Sequence, residues 1–198
     1  LDTETTGLSV KDGHRIVEIG CIELDDLVPT KNIFHFYLNP ERKVSEKAFE
    51  VHGYSDEFLA TKQKFVEIAD DFIDFIKDKK IIIHNAEFDM KWFGLKKLPQ
   101  IEKQWICSMD DITWPADKQL KTRPSVRDLA LAYGVPVWNA HRALTDCIYL
   151  AEVFKRCTEL EKLLLRALEP KVLLRAEISY EERYLAKNAG FRWNDAIK

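Results

Sequence analysis

The chain has 198 residues, 46% apolar and 32% charged, with a net charge of −3 at neutral pH. That length allows one full-sized core and a small appendage. The charge balance excludes a protein that binds nucleic acid through excess basic charge alone. Any such activity needs localised Lys and Arg, or bound cations that supply the positive field. No apolar run approaches the ~20 residues of a membrane span, so the reading is of a cytoplasmic protein without membrane contact. The chain opens on Leu1 rather than Met, directly ahead of its first motif, and reads as a trimmed chain whose first strand lacks its start. Cys21, Cys107, Cys147 and Cys157 show no C-x-x-C spacing. They read as buried thiols, not as a zinc site or a disulfide framework.

The first motif is Asp2-Thr3-Glu4-Thr5-Thr6-Gly7. On a strand, Asp2 and Glu4 project from one face. Two such carboxylates on a buried sheet repel each other unless a cation neutralises them. An exposed edge pair would need no metal, but the threonines and glycine that follow argue for a constrained turn. Asp12-Gly13 is a turn signal ahead of a β-branched run over 15–24, so Leu1–Thr6 and 15–24 are expected to pair antiparallel. A third strand is expected over Ile33–Leu38, ended by Pro40.

Phe65, Ile68, Ala69, Phe72, Ile73 and Ile76 recur at helical steps, and the apolar run Ile81-Ile82-Ile83 follows as a strand covered on both faces. The second motif, His84-Asn85-Ala86-Glu87-Phe88-Asp89, falls on the strand–helix corner, where active-site residues gather in open α/β sheets. The Cys107–Arg123 stretch reads as a loop overhanging a groove. Ser125 is an N-cap for a helix over Val126–Tyr133, ended by Gly134. One long helix is expected from Ala143 to about Leu168, behind the third motif, His141-Arg142-Ala143-Leu144-Thr145-Asp146.

Glu169-Pro170 marks a break, giving two domains, 1–168 and 169–198. In the second, Val172–Ala176 reads as a short strand and Ser179 caps a helix through Ala189, closed by Gly190. The elements specify an α/β fold with a mixed sheet flanked by helices, and a small C-terminal α+β appendage that reads as incomplete.

The three motifs, in this order, resemble the DEDDh family of 3′→5′ exonucleases, and the wording between them is most like proofreading-type subunits. The resemblance covers residues 1 to about 160 and implies a ribonuclease-H-like five-stranded sheet. It implies two divalent cations, Mg²⁺ or Mn²⁺, held by Asp2, Glu4, Asp89 and Asp146: Asp2 bridges both, Glu4 and Asp146 hold the first, and Asp89 serves the second. Such cations lie roughly 3.5–4 Å apart and clamp the attacking and leaving oxygens at phosphorus. His141 takes the family's general-base position. A lone histidine would otherwise be a structural residue of its loop.

The same resemblance implies a terminal-nucleotide site of Thr5, Leu8, Ala48, Val51, His52, Asn85 and Phe88. Leu8 and Phe88 either wedge and stack on the terminal base or pack in the core; His52 either lines the site or caps a turn. Lys91, Lys96, Lys97, Lys118, Lys121 and Arg123 either track phosphates or form a solvated surface. Arg183, Lys187, Arg192 and Trp193 offer cation and aromatic chemistry for single strands, or pack internally. The expectation is an exonuclease that removes nucleoside 5′-monophosphates from DNA 3′ ends, with a DNA polymerase as candidate partner. The alternatives are an exoribonuclease of the RNase T or oligoribonuclease type, and a polymerase-associated subunit with secondary nuclease activity.

Overall fold

The computed structural model describes residues 1–94, 98–101, 105–138, 141–170 and 174–191. The chain divides into two compact units, Leu1–Leu168 and Glu169–Lys198. No helix among the described residues is long and apolar enough to cross a membrane.

In the first unit, β1 (Asp2–Thr5), β2 (Ile16–Asp25) and β3 (Val28–Tyr37) form an antiparallel sheet in that order. β3 starts at Val28, ahead of the expected Ile33, through a tight hairpin whose two corner residues, Asp26 and Leu27, have φ of 48° and 64°. Paired left-handed residues match the twist of the flanking strands. No Gly or Asn announces this turn, and Pro29 reads as a breaker. On an edge strand a proline is tolerated, and Pro29 sits opposite Leu24 in the ladder.

β4 (Ile81–Ile83) and β5 (Trp105–Cys107) pair parallel as a second sheet. The expected single five-stranded sheet is therefore two hydrogen-bonded sheets among the described residues. The amino group of Leu1 donates to Ile82 O at 2.9 Å, which sets the start of β1 beside β4, yet no ladder joins the two sheets there.

Helices α1 (Glu46–His52) and α2 (Asp56–Ala60) carry serine caps at Ser45 and Ser55, and α1 ends on Gly53 at φ 70°. α3 (Phe65–Ile76) buries Phe65, Ile68, Phe72 and Ile76, the face its periodicity specifies. These pack with Ile19, Phe34, Ile83 and Trp92 in one core cluster. α4 (Ala86–Met90) follows β4 directly. α5 (Val126–Ala132) starts in a capping box in which Ser125 Oγ accepts from Asp128 N and Asp128 accepts from Ser125 N.

The expected long helix is two helices, α6 (Ala143–Arg156) and α7 (Leu160–Ala167), separated at Cys157, whose backbone is extended. The apolar steps Val153, Phe154, Cys157, Leu160, Leu163, Leu164 and Ala167 cross this break in phase, so spacing cannot reveal it. Tyr133, which donates to Cys157 Sγ at 3.4 Å, fixes the corner from α5's end. The Cys107–Arg123 stretch is anchored rather than overhanging: Trp114 stacks on Phe154, meets Tyr133 edge-on, and donates to Ser108 O.

In the second unit, α8 (Arg183–Asn188) is shorter than expected. Ser179 instead closes a reciprocal turn with Glu182, which accepts from Ser179 N while Ser179 Oγ accepts from Glu182 N. Residues 174–176 are not in a strand, and the start of that expected strand lies outside the described residues, as do Arg192 and Trp193.

Candidate active site

The three motifs meet at one end of the first sheet. Burial alternates along β1, with Thr3 and Thr5 buried and Asp2 and Glu4 partly exposed. Asp89, in the last turn of α4, is buried, and Thr3 Oγ1 donates to its Oδ1 at 2.6 Å. Asp146 lies in the first turn of α6, where an acidic side chain complements the helix dipole. The loop ahead of it turns at His141, at φ 63°, whose backbone N–H donates to Asp146 Oδ2 at 3.1 Å. Ligand atoms of Glu4, His141 and Asp146 lie within 4.8 Å of one another.

These carboxylates perturb one another. Burial, then repulsion from Asp89, Glu4 and Asp146, holds Asp2 well above the usual carboxylate range. Glu4 is pushed up to about 8 by burial and by Glu18, Asp146 and Asp89. Burial raises Asp89 to about 7 against the opposing hydrogen bond from Thr3. Asp146 rises to about 6 by burial, with nearby His141 pulling the other way. Four crowded carboxylates with one imidazole at hand are a hard-oxygen donor set, and divalent cations relieve this mutual repulsion directly.

Among the expected nucleotide contacts, the arrangement separates surface residues from supports. Leu8 is 77% exposed and Val51 is exposed, while Ala48 is half-buried. Phe88 is half-buried, with the Lys91 ammonium 4.0 Å from its ring centre and Trp92 against its edge. Lys91 also donates to Leu8 O at 2.8 Å, tying the first motif's loop to the second motif. Asn85 occupies a left-handed position, φ 65°, ahead of α4 and makes no capping bond.

His52 and Thr5 turn inward. His52 is buried, and its Nδ1 accepts from Tyr54 N. Its Nε2 therefore carries the proton and donates to Thr5 O at 3.2 Å. Thr5 Oγ1 donates to Gly7 O. Both ring nitrogens of His52 and the hydroxyl proton of Thr5 are thus engaged within the protein, where they brace the motif. Of the cationic candidates, Lys118, Lys121 and Arg123 pair with Asp117, Asp128 and Asp110. Lys96 and Lys97 lie outside the described residues.

Sequence reasoning missed Glu18. It stands directly opposite Glu4 in the β1–β2 register and is 1% exposed. Its oxygens accept from His35, Tyr54 and the backbone of Ala143. The available signal was a carboxylate flanked by Val17 and Ile19 in a strand buried on both faces, which requires partners.

The Exonuclease (RNase_T) family model matches residues 1–154. The chain belongs to this exonuclease family. Members of the family depend on divalent metal ions, in keeping with the donor set. The exonuclease is 44% identical over 166 residues to DNA polymerase III subunit epsilon of Rickettsia felis, spanning 80% of this chain and 72% of that protein. Against the Escherichia coli protein of the same name it is 39% identical over 170 residues, with 80% and 70% covered. Exonuclease X in complex with 5′ overhanging duplex DNA has a similar structure, with a TM-score of 0.62 and 26% identity over 84% of this chain and 96% of that one. The nuclease domain of 3′hExo, a DEDDh family member bound to rAMP, superposes with a TM-score of 0.66 at 17% identity, covering 81% of this chain and 90% of that one. The likeness carries the ribonuclease-H-like fold. A domain of unknown function (DUF8626) matches residues 172–198 of the exonuclease.

Proposed function

We propose that the protein hydrolyses the last phosphodiester of DNA 3′ ends, releasing nucleoside 5′-monophosphates, as a proofreading or repair exonuclease with a DNA polymerase as partner. The observation that carries the reading is the convergence of Asp2, Glu4, Asp89 and Asp146 at one site with His141 beside them. In this reading Asp2, Glu4 and Asp146 hold one divalent cation, and Asp2 and Asp89 serve a second. Bound there, Mg²⁺ or Mn²⁺ supplies charge stabilisation to the phosphoryl and leaving oxygens.

The chain's own groups do the rest. His141, exposed at the loop tip, orients the attacking water and accepts its proton. Thr3 fixes the Asp89 carboxylate through its hydroxyl. Leu8 and Phe88, linked by Lys91, offer an apolar wedge and a ring face for the terminal base. Such stacking is worth ~1–3 kcal/mol and tolerates any base. Identity of 39–44% to proteins named as polymerase subunits supports DNA as the substrate class and the polymerase as partner.

Matched single strands of DNA and RNA, labelled at the 5′ end and supplied with Mg²⁺ or Mn²⁺, test this reading. Faster shortening of DNA is expected; equal or faster shortening of RNA would replace it with an exoribonuclease.

A further inference from the structure

Helix α6 carries Asp146 and begins two residues after His141, so its first turn sets the spacing between the third motif and Glu4. The four leading N–H groups of a helix need partners from outside it. Arg142, at the N-cap position, makes no side-chain capping bond. Ala143 N instead donates to Glu18 Oε2 at 2.9 Å, a bond spanning 125 residues. The cap of α6 thus comes from β2.

Glu18 is built for this position. Tyr54 donates to the same oxygen at 2.7 Å, and His35 Nε2 lies 2.7 Å from the other. A carboxylate is acceptor-only when ionised, so His35 Nε2 is a donor there. These bonds overcome the burial that would otherwise favour the neutral form and hold the carboxyl below its ordinary range. The Arg142 guanidinium lies 4.5 Å from the Tyr54 ring centre, closing the far side. Two residues along β2, Gly20 lets the helix approach. A Cβ there would come within 2.5 Å of Leu144 N and 2.7 Å of Ala143 C, backbone atoms that cannot yield.

Opposed residues of an antiparallel pair share a face, so Glu18 lies beside Glu4 under the start of α6. Three donors engage both of its oxygens within the protein. Resting on the exonuclease reading above, we propose that Glu18 is a positioning residue: it clamps the first turn of α6 to β2 and so holds His141 and Asp146 at cation-binding distance from Glu4.

The test uses the full chain carrying Glu18→Gln and, separately, Tyr54→Phe, which leaves the carboxylate but removes one donor. Mn²⁺ binding is read by calorimetry, thermal melting by circular dichroism, and kcat and KM on a labelled DNA strand well below each melting temperature. Glu18→Gln is expected to weaken Mn²⁺ binding and lower kcat by about 10–100-fold, the usual effect of losing a group that orients ligands, with KM little changed. Tyr54→Phe is expected to follow in the same direction with a smaller effect, and carries the test if Glu18→Gln does not fold. A variant that melts lower yet keeps wild-type Mn²⁺ affinity and kcat would make Glu18 purely structural and overturn the proposal. A wild-type chain that neither binds Mn²⁺ nor shortens DNA would remove the exonuclease reading itself, and the proposal with it.

Discussion

Thr3 and Asp89 lie 86 residues apart in sequence and share a buried hydrogen bond of 2.6 Å, hydroxyl to carboxylate. It joins the first motif to the second without any cation. One oxygen of Asp89 is thereby fixed.

Replacing Thr3 by Val keeps its shape and removes that bond. A bond to a charged group is worth about 1.5–3 kcal/mol, though a raised Asp89 pKa (about 7) places the effect at the low end near neutrality. We expect a modest loss in chemical denaturation and about a 10-fold fall in kcat, the lower end for loss of an orienting partner. Unchanged kcat would show that Asp89 needs no such support.

His141→Ala removes an exposed side chain whose backbone N–H still reaches Asp146. Melting should be unaffected. If the imidazole is the general base, kcat falls by about 10²–10⁴-fold, and Mn²⁺ binding changes far less. Full activity of this variant would move the role elsewhere.

The pH dependence of the metal-free protein follows from the raised carboxylates. Their ordinary values are 3.8 for Asp and 4.5 for Glu, against about 7 for Asp89 and about 8 for Glu4 in the fold. Between those limits the folded chain holds more protons than the unfolded one, so stability falls as pH rises, by up to about 1.4 kcal/mol per unit per group. His84, lowered from 6.5 to about 4 by burial, acts oppositely and only below about pH 6.5. Melting temperature should therefore drop from pH 6.5 to pH 8 in chelator. Saturating Mg²⁺ should largely abolish the drop, and Asp89→Asn should reduce it.

Phe72 is fully buried in α3, stacked on Phe93 with ring centres 5.5 Å apart and tilted against Phe34. Phe72→Ala should cost about 3–5 kcal/mol in denaturant unfolding. A loss under about 1 kcal/mol would mean that this core collapses to fill the space.

Motif and periodicity made the placement of the carboxylates legible in the sequence, because Asp2 and Glu4 fall on β1, Asp89 in the short helix after β4 and Asp146 in the first turn of α6. Residues whose role depends on distant partners were hidden. Glu18 gains its meaning from Tyr54, His35 and Ala143, none adjacent in sequence. Sequence leaves His52 either lining the site or capping a turn, and its bonds to Thr5 O and from Tyr54 N come only with the fold. The break at Cys157 is set by Tyr133, and the β2–β3 hairpin by a left-handed Leu27 that composition does not announce. Local physics placed the elements, and tertiary contacts decided where they stop.

In the proposed reaction Asp2, Glu4, Asp89 and Asp146 hold the cations that support hydrolysis from the 3′ end. A 5′-labelled DNA strand, incubated with Mg²⁺ or with EDTA beside Asp146→Ala, tests it most directly. A ladder shortening one nucleotide at a time is expected, present only with metal and only in the unsubstituted protein. An undiminished ladder in EDTA or in Asp146→Ala, internal cuts, or no cleavage with metal present would contradict it.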